Sequence, residues 1–228
     1  MNAIQPPTAV RTTAAMPSVA AALATNKVLR NTYLLLAMTL AFSALTAGAS
    51  AAMRLPHPGL LLTLVGYFGL LFLTARFRDR ALGVGFVFAL TGFMGYTLGP
   101  ILNAYLGLAH GGQIVLIALA GTAATFVGMS GFALVSGRDF SFMGSLLTAG
   151  ILVAFLAGLG ALLLELPTLS LLVSAAFVVL MAGLILYETD AIIRGGETNY
   201  ITATVTLYVS IFNLFTSLLH LLGLSDGD

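Results

Sequence analysis

Seven apolar stretches, each close to 20 residues long, constrain this sequence more than any other feature. They lie near residues 31–53, 59–75, 81–103, 113–135, 142–164, 168–192 and 201–223. A helix needs roughly 20 mostly apolar residues to cross a bilayer, and a spanning helix satisfies its own backbone hydrogen bonds. The polar breaks between the stretches are too short for a soluble domain. The sequence therefore predicts an all-α polytopic membrane protein with seven transmembrane helices.

The composition supports a bilayer as the solvent for this chain. Only 7% of its 228 residues are charged and 59% are hydrophobic, whereas soluble domains have about 25% charged residues. The net charge of +1 gives no indication of a nucleic-acid partner. The chain has no cysteine, which excludes disulfides and thiolate metal sites. We expect no cofactor, no metal site and no catalytic residues, and hence a protein that is not an enzyme.

The distribution of basic residues predicts the orientation, because Lys and Arg remain on the cytoplasmic side of short loops. With the N-terminus inside, Arg54 is the one basic residue in an outer segment. The inner segments hold the other eight, Arg11, Lys27, Arg30, Arg76, Arg78, Arg80, Arg138 and Arg194. The N-terminus is therefore predicted to be cytoplasmic and, after seven spans, the C-terminus periplasmic.

The segment before the first span is predicted to be a flexible cytoplasmic tail, residues 1–26, followed by a transmembrane domain, residues 27–228. The tail is rich in Ala, Thr and Pro and offers little to bury. It is either a passive leader or an accessible handle that an energy-dependent protease could grip. The first span is longer than the 7–15 apolar residues, roughly, of a signal peptide core, so we expect it to stay uncleaved.

Two acids lie inside the sixth span, Glu188 and Asp190. Residues two apart point to nearly opposite sides of a helix, so they do not share a proton. Asp190 has Arg194 four residues on and is expected to form an ordinary ion pair at the cytoplasmic end. Glu188 has no such partner in its own helix. Carboxylates within spans usually face the bundle interior and often mark ion or proton paths.

The seventh span offers polar groups that Glu188 could face. They recur with helical spacing on one side of the span, at Thr202, Thr206, Ser210, Asn213 and Ser217. This stripe is expected to look inward, because polar groups in hydrocarbon need partners. It either forms interhelical hydrogen bonds that hold helices together, or lines a cytoplasmic polar pocket in which Glu188 titrates and biases helix packing.

Several segments resemble the Bax-inhibitor family, also called TMBIM. The resemblance covers the chain from about residue 25 to its end, and it is closest to the bacterial YccA-type branch, which modulates the membrane protease FtsH. The matching segments are "TNKVLRNTY" (25–33), "TGFMGYTLGPILNAYL" (91–106), "ALAGTAATF" (118–126), "GGETNYI" (195–201) and "LYVSIFNLFTSLL" (207–219).

The resemblance implies a seven-helix fold with a central acid-bearing helix in the bacterial inner membrane. For the YccA-type branch it implies binding to FtsH and its associated membrane complex; for other branches it implies a pH-sensitive calcium leak. In calcium-leaking bacterial relatives two aspartates on the sixth and seventh helices share protons. Here Glu188 stands at the first position and Ser210 at the second. A calcium gate built on two acids is therefore not expected, although a single Glu188 could still sense protons.

Gly95, Gly99 and Pro100 belong to the matching segment 91–106 and lie inside the third span. Proline lacks the amide hydrogen that continues a helix, so the sequence predicts a kink or break there, and neighbours must satisfy the freed backbone. Whether this is a hinge or only a bend is left open by the sequence.

Two further patterns suggest other chemistry. The "GMSG" segment matches a serine-protease motif, but Ser130 is predicted at the inner end of its span and His220 at the outer end, on the order of 20 Å apart and too far for nucleophile activation. His57, His110 and His220 fall on the outer side without metal-ligand spacing. The resemblance thus implies a non-enzymatic inner-membrane protein that binds and restrains FtsH, with a pH-sensitive calcium or cation leak through Glu188 as the alternative.

Overall fold

A computed structural model of the protein describes residues 26–224, and these form a bundle of seven α-helices. No strand occurs within this range. The helices are α1 (Lys27–Ala52), α2 (Leu60–Arg76), α3 (Ala81–Leu106), α4 (Gly111–Ser136), α5 (Met143–Leu163), α6 (Pro167–Arg194) and α7 (Tyr200–Leu224). Six of them are long and apolar enough to cross a membrane. The predicted all-α architecture with seven apolar helices is confirmed; the predicted tail, up to residue 25, lies outside the described residues.

Helix α1 begins four residues before the predicted first span, because Asn26 caps it. The Asn26 side-chain oxygen accepts a hydrogen bond from the backbone N–H of Leu29 at 3.0 Å, which satisfies one of the free amides of the first turn. The Asn26 amide group also donates to the carbonyl of Ile192 at 3.2 Å. The cap thus starts α1 and joins it to the last turn of α6.

Helix α2 has 17 residues, which corresponds to about 25 Å of helix and is at the short end of the spanning range. Its two flanking loops nevertheless lie at opposite ends of the bundle. The loop before it is held by Tyr96, whose hydroxyl donates to the carbonyl of Pro56 at 2.9 Å. The loop after it is held by Asn199, which donates to the carbonyl of Arg78 at 3.2 Å. Helix α2 therefore crosses the bundle from one end to the other, although it is shorter than its neighbours.

Helix α7 lies at the centre of the bundle and packs against every other helix except α5. None of its residues from Ile201 to Gly223 is exposed, and Leu207, Tyr208 and Leu214 are almost completely buried. The family resemblance implies that the central helix bears the acid. In the described residues of α7 there is no Asp or Glu, and the acids lie on the neighbouring α6. Because the second acidic position is Ser210 here, the bundle has a polar but uncharged central helix.

The sequence predicts a kink or a break at Gly99-Pro100; no break occurs, since α3 runs without interruption from Ala81 to Leu106. The ring of Pro100 leaves the carbonyl of Tyr96 without its helical donor. The hydroxyl of Ser50 on α1 donates to that carbonyl at 2.9 Å. A neighbouring helix thus replaces the missing hydrogen bond, and the helix continues through the proline.

Glycines make this close approach of α1 and α3 possible. A Cβ atom added to Gly99 would overlap the Ser50 side chain, and one added to Gly95 would overlap Thr46 Oγ1 and the carbonyl oxygen of Ser43. The absence of a side chain at these glycines thus lets α1 and α3 pack closely together.

Candidate functional site

Glu188 lies on the side of α6 that packs against α7, between Ile185 and Ile192. Ile185 belongs to a core cluster with Leu207 of α7, and Ile192 belongs to one with Ala203. Residues three and four apart share a helix face, so Glu188 is turned towards α7 at the same depth. Its side chain is buried, with the residue 6% exposed.

The Glu188 carboxyl is unusual because it is buried without a hydrogen bond. Its Oε1 atom has no hydrogen-bond partner in the described part of the chain. A like charge acts on it, the carboxylate of Glu197 in the α6–α7 loop. Buried polar groups are normally paired, and an unpaired one is costly in free energy. An acid held in this way is a candidate for a group that changes state.

The polar stripe of α7 is mostly satisfied within its own helix. Ser210 Oγ donates to the carbonyl of Thr206 at 2.7 Å, and the Asn213 amide donates to that of Val209 at 2.8 Å. Thr206 Oγ1 donates to the carbonyl of Thr202 at 3.1 Å. These groups therefore form neither the interhelical bonds nor the hydrogen bonds to Glu188 that the sequence suggests.

A pocket does open between α2 and α7 at their inner ends, with a volume of about 220 Å³. Thr74, Arg78, Thr202 and Thr206 are among its lining residues. Glu188 is not part of the lining. The predicted cytoplasmic pocket thus contains part of the stripe without the acid.

Thr189 connects three helices beside Glu188, a role that the sequence analysis missed. Its hydroxyl lies 3.4 Å from the Tyr33 hydroxyl of α1 and 3.3 Å from the Ser130 hydroxyl of α4, and it donates to the carbonyl of Ile185. The residue is fully buried. A lone threonine next to two acids gives no signal in the sequence, because its partners lie far away along the chain.

Asp190 fastens the loop between α4 and α5 to the end of α6. Arg194 Nε donates to its Oδ1 at 2.8 Å, and the backbone N–H of Phe140 donates to its Oδ2 at 3.0 Å. Arg194 also donates to the carbonyl of Gly137 at 3.2 Å. Beside them, the hydroxyl and amide of Ser141 bind the exposed Asp139 carboxylate and lower its pKa.

The protease-like pattern has no geometry to support it. Ser130 lies 3.3 Å from Thr189, whereas His220 lies 2.8 Å from Ser174 near the outer end of α6. The two residues of the suggested pair thus contact different partners. In the described residues no three His, Cys, Asp or Glu side chains cluster in a way that could hold a metal ion.

Comparison with known proteins decides the family. The model of the family described as inhibitor of apoptosis-promoting Bax1 matches residues 25–227. The chain belongs to this Bax-inhibitor family.

Curated relatives cover nearly the whole chain. The modulator of FtsH protease YccA of Escherichia coli is 52% identical over 206 residues, which cover 90% of this chain and 94% of the relative. An uncharacterized protein of Pseudomonas aeruginosa is 53% identical over 201 residues, covering 88% and 90%. A second Escherichia coli sequence, equally similar, is named inner membrane protein YccA. Together with six long apolar helices, that name confirms the expected multi-pass inner-membrane location.

Proposed function

We propose that this chain is a regulatory partner of an FtsH-type protease, which it binds in the inner membrane and restrains. The observation that carries the proposal is the 52% identity, over 90% of the chain, to a relative named modulator of FtsH protease. The names of the relatives describe modulators and membrane proteins rather than enzymes. The helical bundle supports this role, because it offers lipid-facing helices and inner-end loops to a membrane-anchored partner.

Co-purification tests the proposal. The tagged full-length chain, extracted from membranes with a mild detergent, is expected to retain FtsH and its associated membrane complex. Degradation of a membrane substrate by FtsH in proteoliposomes is expected to slow when the chain is included. A matched sample without residues 1–25 tests whether the tail serves as the protease's handle. Absence of FtsH from the full-length sample, together with unchanged degradation, would rule the proposal out.

A proton-sensitive cation leak is the second candidate, and the observation in its favour is the buried Glu188 with an unpaired Oε1 atom. Carboxylates in this position are often functional. Calcium prefers several oxygen ligands with charge among them, and one carboxylate supplies few. Ion flux in proteoliposomes distinguishes the candidates: a leak that rises with pH and disappears in Glu188→Gln supports this second function.

Glu188→Gln is expected to leave the fold intact and to remove any pH dependence of FtsH modulation. Glutamine has nearly the same shape, and removing a buried unpaired charge does not destabilise the bundle. Modulation is measured as the degradation rate of one FtsH substrate in acidic and in alkaline buffer.

Asp190→Asn serves as the matched control and is expected to be milder, because Arg194 is partly solvated and remains hydrated without its ion pair. Comparable loss of pH dependence in both variants would show that Asp190 does more than hold Arg194 and the loop.

A further inference from the structure

A large apolar groove lies on the side of the bundle away from α5, between α1 and α4. Its volume is about 510 Å³, and its back wall is formed by α3 and α7. The described residues of α1 and α4 do not pack against each other along the backbone. Ala44 and Gly48 of α1 and Leu119 and Ala123 of α4 line it and are exposed. These four residues form the rim, so the groove opens sideways towards lipid.

The groove is about as long as one leaflet of the bilayer is thick. On α4 its lining runs from Val115 to Phe126, a rise of about 16 Å, and half of the hydrocarbon core is about 15 Å thick. Helix α4 starts at the outer end of the bundle, so the groove lies in the outer leaflet. At its inner end the ring of Phe126 meets that of Tyr33 on α1, with their centroids 5.8 Å apart, so side chains of α1 and α4 come together there.

The polar groups in the lining have partners inside the protein. The Tyr208 hydroxyl lies 2.6 Å from Ser43 Oγ, and Thr122 Oγ1 donates to the carbonyl of Ala118 at 2.7 Å. No lining hydroxyl therefore requires a polar ligand. A space of this kind stays dry, and an empty one would cost free energy in proportion to its volume. Its occupant is therefore hydrocarbon.

We propose that this groove holds one acyl chain of an outer-leaflet phospholipid as a resident lipid. A transmembrane helix of a partner runs through the whole bilayer, whereas the lining of this groove on α4 ends at Phe126, where the Tyr33–Phe126 pair lies. A single acyl chain is linear and apolar, and it reaches the groove directly from the surrounding leaflet. The volume falls in the range of roughly 300–1,000 Å³ that is typical of ligand sites.

Gly48→Leu tests the proposal, because a side chain at this rim position points into free space. A Cβ atom at Gly48 meets nothing within 4 Å, and the same is true of Gly69 on α2. Both glycines are exposed on an apolar helix, Gly69 in the middle of α2 and Gly48 four residues before the end of α1. Gly69→Leu is therefore a matched control that adds the same side chain outside the groove.

The experiment titrates palmitoyl-oleoyl phosphatidylglycerol into delipidated full-length protein and counts bound lipids by native mass spectrometry. Wild type and Gly69→Leu are expected to retain one phospholipid, and Gly48→Leu to bind it about tenfold more weakly, because the new side chain takes the place of several methylene contacts. Equal retention by Gly48→Leu, or no retained phospholipid in wild type, would overturn the proposal. Retention of added oleate in preference to phospholipid would overturn the assignment to a leaflet lipid.

Discussion

Gly95→Leu is expected to abolish folding of the bundle. Even the first atom of the new side chain would overlap the carbonyl oxygen of Ser43 and the hydroxyl of Thr46 on α1, and a backbone carbonyl in a helix cannot move aside without separating α1 from α3. Overpacking a core costs about 1–3 kcal/mol when side chains can adjust, and here they cannot. The expected result is loss of the folded protein from detergent-solubilised membranes, measured by size-exclusion chromatography and circular dichroism.

Gly85 provides the matched control for this prediction. It lies on the same helix as Gly95, it is exposed, and a Cβ atom added there meets nothing within 4 Å. Gly85→Ala should leave the melting temperature unchanged or raise it, since alanine favours a helix by about 1 kcal/mol relative to glycine. Gly95→Ala should lower it. Equal melting temperatures for the two alanine variants would show that α1 and α3 do not depend on the close contact at Gly95.

Apolar length was sufficient to predict the helices of this fold, as at the second span, predicted near 59–75 and found at Leu60–Arg76. Two features of the helices could not be predicted from local rules about the sequence. The start of α1 was missed because capping by Asn26 extends the helix beyond its apolar run. A break at Pro100 does not occur because Ser50 of another helix supplies the missing hydrogen bond, and no rule about neighbours in the sequence identifies that donor.

In the candidate site, too, some features could be predicted from the sequence and others could not. That Glu188 is buried in the bundle follows from an acid inside a long apolar run, and the spacing of Asp190 and Arg194 brings their charged atoms within 2.8 Å. The contacts of Thr189 with Tyr33 and Ser130 join residues 156 and 59 positions apart. Such contacts depend on which helices become neighbours, and apolar periodicity on a single helix does not contain that information.

Asp190→Ala is expected to release the α4–α5 loop from the inner end of α6. Its carboxylate accepts hydrogen bonds from the Phe140 amide and from Arg194, and the residue is only 2% exposed. Removing a buried acceptor leaves its donors unpaired, at a cost of about 2–3 kcal/mol. The loop contains Arg138, so limited trypsin digestion of inverted membrane vesicles should cut there several times faster, with intact chain followed by mass spectrometry.

Asp139→Ala separates this effect from a simple loss of negative charge. Asp139 is exposed and lies 3.9 Å from the same Arg194 guanidinium, but it holds only Ser141 in its own loop. Cleavage at Arg138 is therefore expected to change little in this variant. Asp190→Asn keeps one oxygen that can accept from Phe140, so its cleavage rate should fall between wild type and Asp190→Ala. If all three variants were cut at the wild-type rate, the loop would be held by Arg194 and the carbonyl of Gly137 alone, and the buried carboxylate would have no part in it.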